Sequence, residues 1–474
     1  MNRFDLIVRN ADVVTAAERF HADIGIRDGV ITALAQHLDP ALASEVIDAA
    51  GRMVTPGGVD AHCHLDQASD DGSRGSDDFL TGTRSAACGG TTTVIPFAMQ
   101  FKGQSLDDAV ADYHRRADGQ ACIDYAFHLI IADASPAVVQ EQLPRMVAAG
   151  YTSFKIYMTY DALKLNDREI LDVLDAARGL GALSMIHAEN DDCIAWLTDR
   201  LLAQGKTAPR FHALAHSSIG EREATHRAIS LAEIVDVPIL LVHVSSRAAV
   251  EQIYWARGQG INIFSETCPQ YLFLTAEDLG IGDDFHGAKC ICSPPPRDTD
   301  SQNAIWNGLA NGTFTIFSSD HSPYNFDDAE GKKLHGEDAP FNRIPNGIPG
   351  LETRLPLLMS EGVMQGRISA ERFVELTSTA PARLYGLYPR KGTLAVGADA
   401  DLVIWDTGVD KTLRNVDLHS AADYTPYEGR TLKAWPAYTL SRGKTVWANG
   451  EYCGMAGQGR FLPCARPFPV GNPT

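Results

Sequence analysis

Between residues 57 and 320 the chain repeats one alternation. A short apolar run, often rich in β-branched residues, is followed by a longer stretch with apolar residues every three or four positions. The short runs are GVDAHCH (58–64), TTTVIPFA (91–98), DYAFHLIIA (124–132), TSFKIYM (152–158), LSMIHA (183–188), PILLVHV (238–244), INIFSETC (261–268) and TFTIFSSD (313–320). Each has the length of a β-strand. The stretches between them, such as SLDDAVADYHRRA, SPAVVQEQLPRMVAAG, DREILDVLDAARGLG and EREATHRAISLAEIV, carry helical spacing, and several end in Gly or soon meet Pro. About eight strands alternating with helices predict an α/β fold, a (β/α)8 TIM-like barrel over 57–385. A doubly wound open sheet is the alternative.

The two ends of the chain read differently. FDLIVRNADVV and ADIGIRDGVITAL are strand-like, with Asp28-Gly29 as a hairpin signal, and β character returns in GTLAVGADADLVIWD and YTLSRGKTVWANGEY. Neither end has enough strands to bury both faces of a sheet. Residues 1–56 and 386–453 are therefore expected to build one small β-sandwich domain. Residues 454–474 form a tail, either packed on a neighbouring subunit or loose.

A formal charge of −19 with no basic run argues against nucleic acid as a partner. No stretch approaches the roughly 20 apolar residues of a membrane span, and Asp5 and Arg9 interrupt the N-terminal apolar residues where a signal peptide would have its apolar core. A cytoplasmic protein is expected. Nine cysteines, odd in number and scattered, fit ordinary reduced thiols, and Cys290 and Cys292 lack zinc-knuckle spacing.

The chemistry lies at the strand ends. His62, His64, Lys155, His187, His243 and Asp320 each stand at or near the C-terminal end of a predicted strand. In a closed parallel barrel those ends meet on one face, so the six could surround two metal ions. His62 and His64 share a side of their strand, because side chains repeat every two residues, and imidazole suits zinc, iron, nickel or copper. A lysine inside an apolar strand costs too much to leave charged and unpaired. Lys155 is therefore either a lysine that snorkels or meets a carboxylate, or one whose amine has reacted with carbon dioxide to give a metal-bridging carbamate. His187 and His243 could serve a second ion or be satisfied core histidines. Asp320 can both ligate and accept a proton. His114, His226 and His335 read as surface or structural residues, His321 as pointing away from Asp320, and Cys63 as packing beside the site.

The whole set resembles the dihydropyrimidinase and D-hydantoinase family, cyclic amidases of the amidohydrolase superfamily. The resemblance is carried by GGVDAHCHLD, DDFLTGTRSAACGGTTTVI, FKIYMTY, HAEN, VHVSS, ETCPQYL, GAKCICSPP, SSDHSPY, IPNGIPGLETRLPLL and DYTPYEG. It implies a metal-dependent hydrolase with two zinc ions per subunit, manganese or cobalt being possible, bridged by carboxylated Lys155 and a hydroxide. His62, His64 and Asp320 would hold one ion, His187 and His243 the other. Asp320 would also move the proton, Tyr160 would donate to the substrate carbonyl, and Ser293 and Asn346 would contact the ring amide through their backbones. The implied reaction opens a dihydropyrimidine or 5-substituted hydantoin to an N-carbamoyl amino acid, in a homo-oligomer, tetramer or dimer.

Departures from the family pattern are Ala61, Cys63, Pro96 and Ser322, none of them a ligand position. The stretches around SDDGSRGSDD and DALKLND would border the substrate entrance. Cyclic imide hydrolase, allantoinase and dihydroorotase are the rival activities. Asp66 stands where dihydroorotases generally carry an arginine for the substrate carboxylate. A non-catalytic scaffold of the same family would have lost ligands that this chain keeps.

Overall fold

The computed structural model describes residues 3–67, 69 and 72–467. Eight parallel strands follow one another around the barrel: Gly58–Cys63, Thr91–Met99, His128–Ile130, Ser153–Tyr157, Leu183–His187, Ile239–Leu241, Ile263–Thr267 and Ile316–Phe317. The last strand is shorter than its apolar run suggests, because its backbone changes partners. Thr315 and Ser318 donate to Ser265 and Thr267 of the preceding strand, whereas Asp320 donates to the His62 carbonyl at 2.8 Å. The His64 amide donates to the His321 carbonyl at 2.7 Å, and a Cys63–His321 bridge joins last strand to first.

Among the described residues, seven helices of ten or more residues pack around these strands. Each begins after an Asp, Ser or Asn (Asp78, Ser105, Asn166, Asn190, Ser217, Ser246, Asp298) whose side chain accepts a first-turn N–H. The helix expected over 135–150 is irregular: a π-turn at Val138–Gln142 leads into Leu143–Ala148. Pro144 has no N–H to donate one turn back, so the regular ladder cannot run through it.

Strands from both termini join in one nine-stranded ladder. Phe4–Val14 shifts register between Val8 and Ala11, around Asn10 at φ +53°. Its first half lies beside Ala43–Asp48 and its second beside Met53–Pro56. Met53–Pro56 then pairs with Leu402–Asp406, which ties the two ends of the chain together. This sheet has a core of its own, with Leu6, Val8, Ile24, Ile47 and Val54 against Leu402, Ile404 and Leu440.

The described part of the tail packs on its own barrel. Leu462 is buried and donates to the Tyr125 carbonyl, Tyr125 donates to Arg460, and Cys464 donates to Gly150. Phe461 meets the rings of His114, Phe127 and Tyr151. These contacts lie at the N-terminal ends of the strands, opposite the catalytic candidates. Among the described residues, no helix is long and apolar enough to cross a membrane.

Candidate metal centre

The nine candidate residues from the sequence, His62, His64, Lys155, Tyr160, His187, His243, Ser293, Asp320 and Asn346, line one cavity of about 570 Å³ at the C-terminal ends of the strands. Asp320 Oδ1 lies 3.1 Å from His62 Nε2 and 3.6 Å from His64 Nε2. The donor atoms of these three residues lie within 4.8 Å of one another, a spacing that suits one cation. The rings of His187 and His243 are 4.4 Å apart. Here the arrangement is less complete: His187 Nε2 bonds Glu189 at 2.9 Å, while His243 Nδ1 is buried with no hydrogen-bond partner. An orphaned buried imidazole nitrogen carries a desolvation cost that a cation would remove.

Lys155 lies among these groups and is completely buried, with its amine 3.3 Å from His62 Nε2. It faces the Phe97 and Tyr157 rings at 5.0 and 5.3 Å, and no carboxylate forms an ion pair with it among the described residues. Burial pulls its pKa below the ordinary lysine range, against the opposing pull of Asp320 and Glu266. That shift favours a neutral amine, the form able to attack carbon dioxide. Burial also draws His62 and His243 down from the ordinary imidazole range, which favours the neutral form suited to ligation. Burial pushes the Asp320 carboxyl upward, but His62, His64 and Lys155 outweigh it and keep the group ionised.

Three of the nine, Tyr160 (φ +71°), His243 (φ +39°) and Asp320 (φ +49°), have left-handed backbones, unusual for non-glycine residues. Such conformations cost about 1–3 kcal/mol each and persist where surrounding structure imposes them. In Asp320 the cause is visible: the chain turns there from one strand partner to another. The Ser293 hydroxyl hydrogen-bonds Tyr160, whose phenol burial holds well above its usual range. Tyr160 therefore stays protonated and able to donate.

Sequence reasoning passed over the groups behind the imidazoles. Glu266 Oε1 bonds His62 Nδ1 at 2.6 Å and accepts the His243 backbone N–H at 3.1 Å. With Nδ1 occupied, the other His62 nitrogen is turned to Lys155 and Asp320. Glu189 does the same for His187 and also bonds His216 Nδ1 at 2.9 Å. A signal existed for both. Glu266 is a carboxylate inside an apolar strand, and Glu189 follows His187 by the two-residue strand period. His212, which contacts the Cys292 carbonyl and Ser293 Oγ, had none.

Other assignments can be placed. His335 is exposed but stands at the cavity rim, so its reading as merely surface or structural is incomplete. His321 faces away, bonded to Asp77 at 3.0 Å, and Cys63 is buried in the core outside the cavity lining. His114 bonds Tyr151 and His226 bonds Gln252, and neither lines the cavity. The two entrance stretches contribute Ser69, Ser73, Gly75, Asp161, Ala162 and Leu163 to the cavity wall. Asp66, at the discriminating position, pairs with Arg116 at 3.2 Å and does not line the cavity.

Comparison with known proteins agrees with this geometry. Residues 53–446 match the model of the amidohydrolase family. The chain is 44% identical to a D-hydantoinase of Ralstonia pickettii over 459 residues, covering 97% of this chain and 98% of that protein. The crystal structure of a dihydropyrimidinase from Brevibacillus agri superposes with a TM-score of 0.94 at 42% identity, covering 98% and 99% of the two chains. An L-hydantoinase (dihydropyrimidinase) from Arthrobacter aurescens superposes at 0.87 with 30% identity, covering 97% and 100%. With most of its length matched on all three grounds, this chain belongs to the amidohydrolase family, in its hydantoinase and dihydropyrimidinase branch.

Proposed function

We propose that this chain is a metal-dependent hydrolase that opens a cyclic amide, a 5,6-dihydropyrimidine or 5-substituted hydantoin, to an N-carbamoyl amino acid. The observation that carries the reading is the buried Lys155, without a carboxylate ion pair among the described residues, on a cavity wall shared with four histidines and Asp320. His62, His64 and Asp320 would hold one ion, and His187 and His243 a second, with carboxylated Lys155 joining them. Zinc suits this nitrogen and oxygen donor set, and manganese or cobalt could occupy it. Metals bound there would acidify a water and polarise the scissile carbonyl.

The protein's own groups supply the rest. The Tyr160 hydroxyl donates to the carbonyl oxygen as it gains negative charge, an interaction stronger in the transition state than in the ground state. Asp320 accepts the proton of the attacking water and returns it to the leaving ring nitrogen. The backbones around Ser293 and Asn346 hold the ring amide. Glu266 and Glu189 orient His62 and His187. A barrel over 57–385 capped by a β domain from 1–56 and 386–453, with a tail over 454–474, completes the reading, as a homo-oligomer (tetramer or dimer) in the cytoplasm.

The test is ring opening by metal-replete protein, with Lys155→Ala as control, on dihydrouracil, hydantoin, D- and L-5-aryl hydantoins, succinimide, allantoin and dihydroorotate. Lys155-dependent turnover of a dihydropyrimidine or hydantoin is the expected result. Turnover confined to succinimide, allantoin or dihydroorotate would assign a different cyclic amide, and silence throughout would refute the reading.

A further inference from the structure

A second buried lysine stands behind the cavity wall. Lys332 is completely buried, and its amine donates to the Ile291 carbonyl at 3.0 Å and the Pro345 carbonyl at 2.7 Å. Among the described residues no carboxylate forms an ion pair with it, and the Tyr324 ring lies 5.8 Å from its amine. The two carbonyls belong to different segments. Ile291 lies two residues before Ser293, and Pro345 immediately precedes Asn346. A third bond crosses the same gap, from the Gly347 amide to the Ile291 carbonyl at 3.0 Å. Cys292, Ser293, Pro345, Asn346 and Gly347 all line the cavity, whereas Lys332 does not.

We infer that Lys332 is a positioning residue that sets the spacing between the 291–293 and 345–347 backbones, and thereby the width of the slot that grips the substrate's ring amide. The inference rests on the proposed reaction and deepens it. A buried lysine without a counter-charge is costly, and an apolar residue of similar length would fill the same space. What an apolar residue could not do is donate to two carbonyls on separate segments. Burial draws the Lys332 pKa down to about 7. A neutral amine has two N–H donors, matching the two carbonyls it meets.

The lysine is itself held in place. Its backbone amide donates to the Asn325 carbonyl at 2.8 Å. Gly331 lies so close to Asn325 that an added Cβ would stand 2.1 Å from that carbonyl oxygen. The turn therefore delivers the side chain to one point between the two segments. His212 braces the 291–293 segment independently, through the Cys292 carbonyl at 3.0 Å.

The test compares Lys332→Met, Lys332→Gln and Lys333→Met in the full-length metal-replete protein. Lys333 carries the same charge but pairs at the surface with Asp327 and Glu337, so its variant controls for lost charge. Steady-state kinetics would be measured on the best substrate of the panel, alongside metal content and Tm. Loss of ring binding common to ground and transition states raises KM with kcat little changed. The expected result is a KM raised about tenfold or more in Lys332→Met, a smaller rise in Lys332→Gln, and no change in Lys333→Met. A lowered Tm with unchanged KM would make Lys332 merely structural and overturn the inference. If Lys332→Met does not fold, Lys332→Gln decides alone, since its shorter arm cannot span both carbonyls and an unchanged KM refutes the role. Failure of the unsubstituted protein to open any ring refutes the reaction instead, so the two failures are distinguishable.

Discussion

Lys155 and Lys391 are both buried lysines, and the protein treats them in opposite ways. At the junction of the barrel with the terminal sheet, the Lys391 amine meets Asp124 and Asp401 at 2.7 Å and Asp399 at 3.0 Å. Burial alone would lower its pKa, but the three carboxylates outweigh it and raise it. The amine is locked as an ammonium, with Arg442 adding a further charge on Asp124. At the cavity, Lys155 has aromatic rings and a histidine where Lys391 has carboxylates. Its pKa moves the other way. Matched charges make a buried lysine a fastener, and withheld charges keep it available for chemistry.

The largest effect should come from Lys155→Ala. Turnover is expected to be abolished and bound metal to fall, while the fold stays intact by circular dichroism; short exogenous carboxylates are expected to restore part of the rate. Full activity in the unsupplemented variant would end the carbamate reading. Lys391→Met should do the converse. Leaving buried carboxylates without their cation is expected to cost about 3–5 kcal/mol of stability, read as a lower denaturant midpoint, with kcat per folded molecule unchanged. If instead its activity falls at constant stability, the two lysines are not separate in role.

Tyr160→Phe comes next, with kcat down about 10²–10³ and metal content unchanged, since one donor to the developing oxyanion is lost. An unchanged kcat would remove Tyr160 from the reaction. The smallest effect is in pH dependence. The folded pKa of Lys391 is raised, so its stabilisation is fully present below the ordinary lysine pKa and is lost as pH rises through the folded value. Lys332, lowered to about 7, works in reverse: the unfolded chain binds more protons between pH 7 and about 10.5, so this residue's contribution improves as pH rises across that window. The Tm gap between the unsubstituted protein and Lys332→Met should therefore be more favourable to the lysine at pH 9 than at pH 6.5. A gap independent of pH would refute the shifted lysine.

The difference between the three lysines also marks how far the sequence could be read. Lys155 was legible because it interrupts an apolar run with strand length, and histidines at other strand ends supplied its context. Lys332 and Lys391 carry no such mark: GKKLHG and PRKGTL read as ordinary turns. Their carbonyl and carboxylate partners arrive from segments distant in sequence, as with Asp124, 267 positions from Lys391. The same limit hid the place of the tail's described part across the foot of the barrel, and the helix broken at Pro144 shows a local signal outvoted by apolar spacing.

What the chain determined by itself was the alternation of strand and helix, the strand-end positions of the four histidines and Asp320, and the presence of a lysine where apolar burial forbids an unpaired charge. Those properties are local, set by periodicity and by the chemistry of single side chains. The tertiary structure alone decided which groups stand behind them. Glu266 reaches His62 across 204 positions, and Asp320 turns out of its strand because the last strand must close on the first. Partners of that kind depend on barrel closure and strand register, which bring distant residues within hydrogen-bonding range only when the whole sheet is formed.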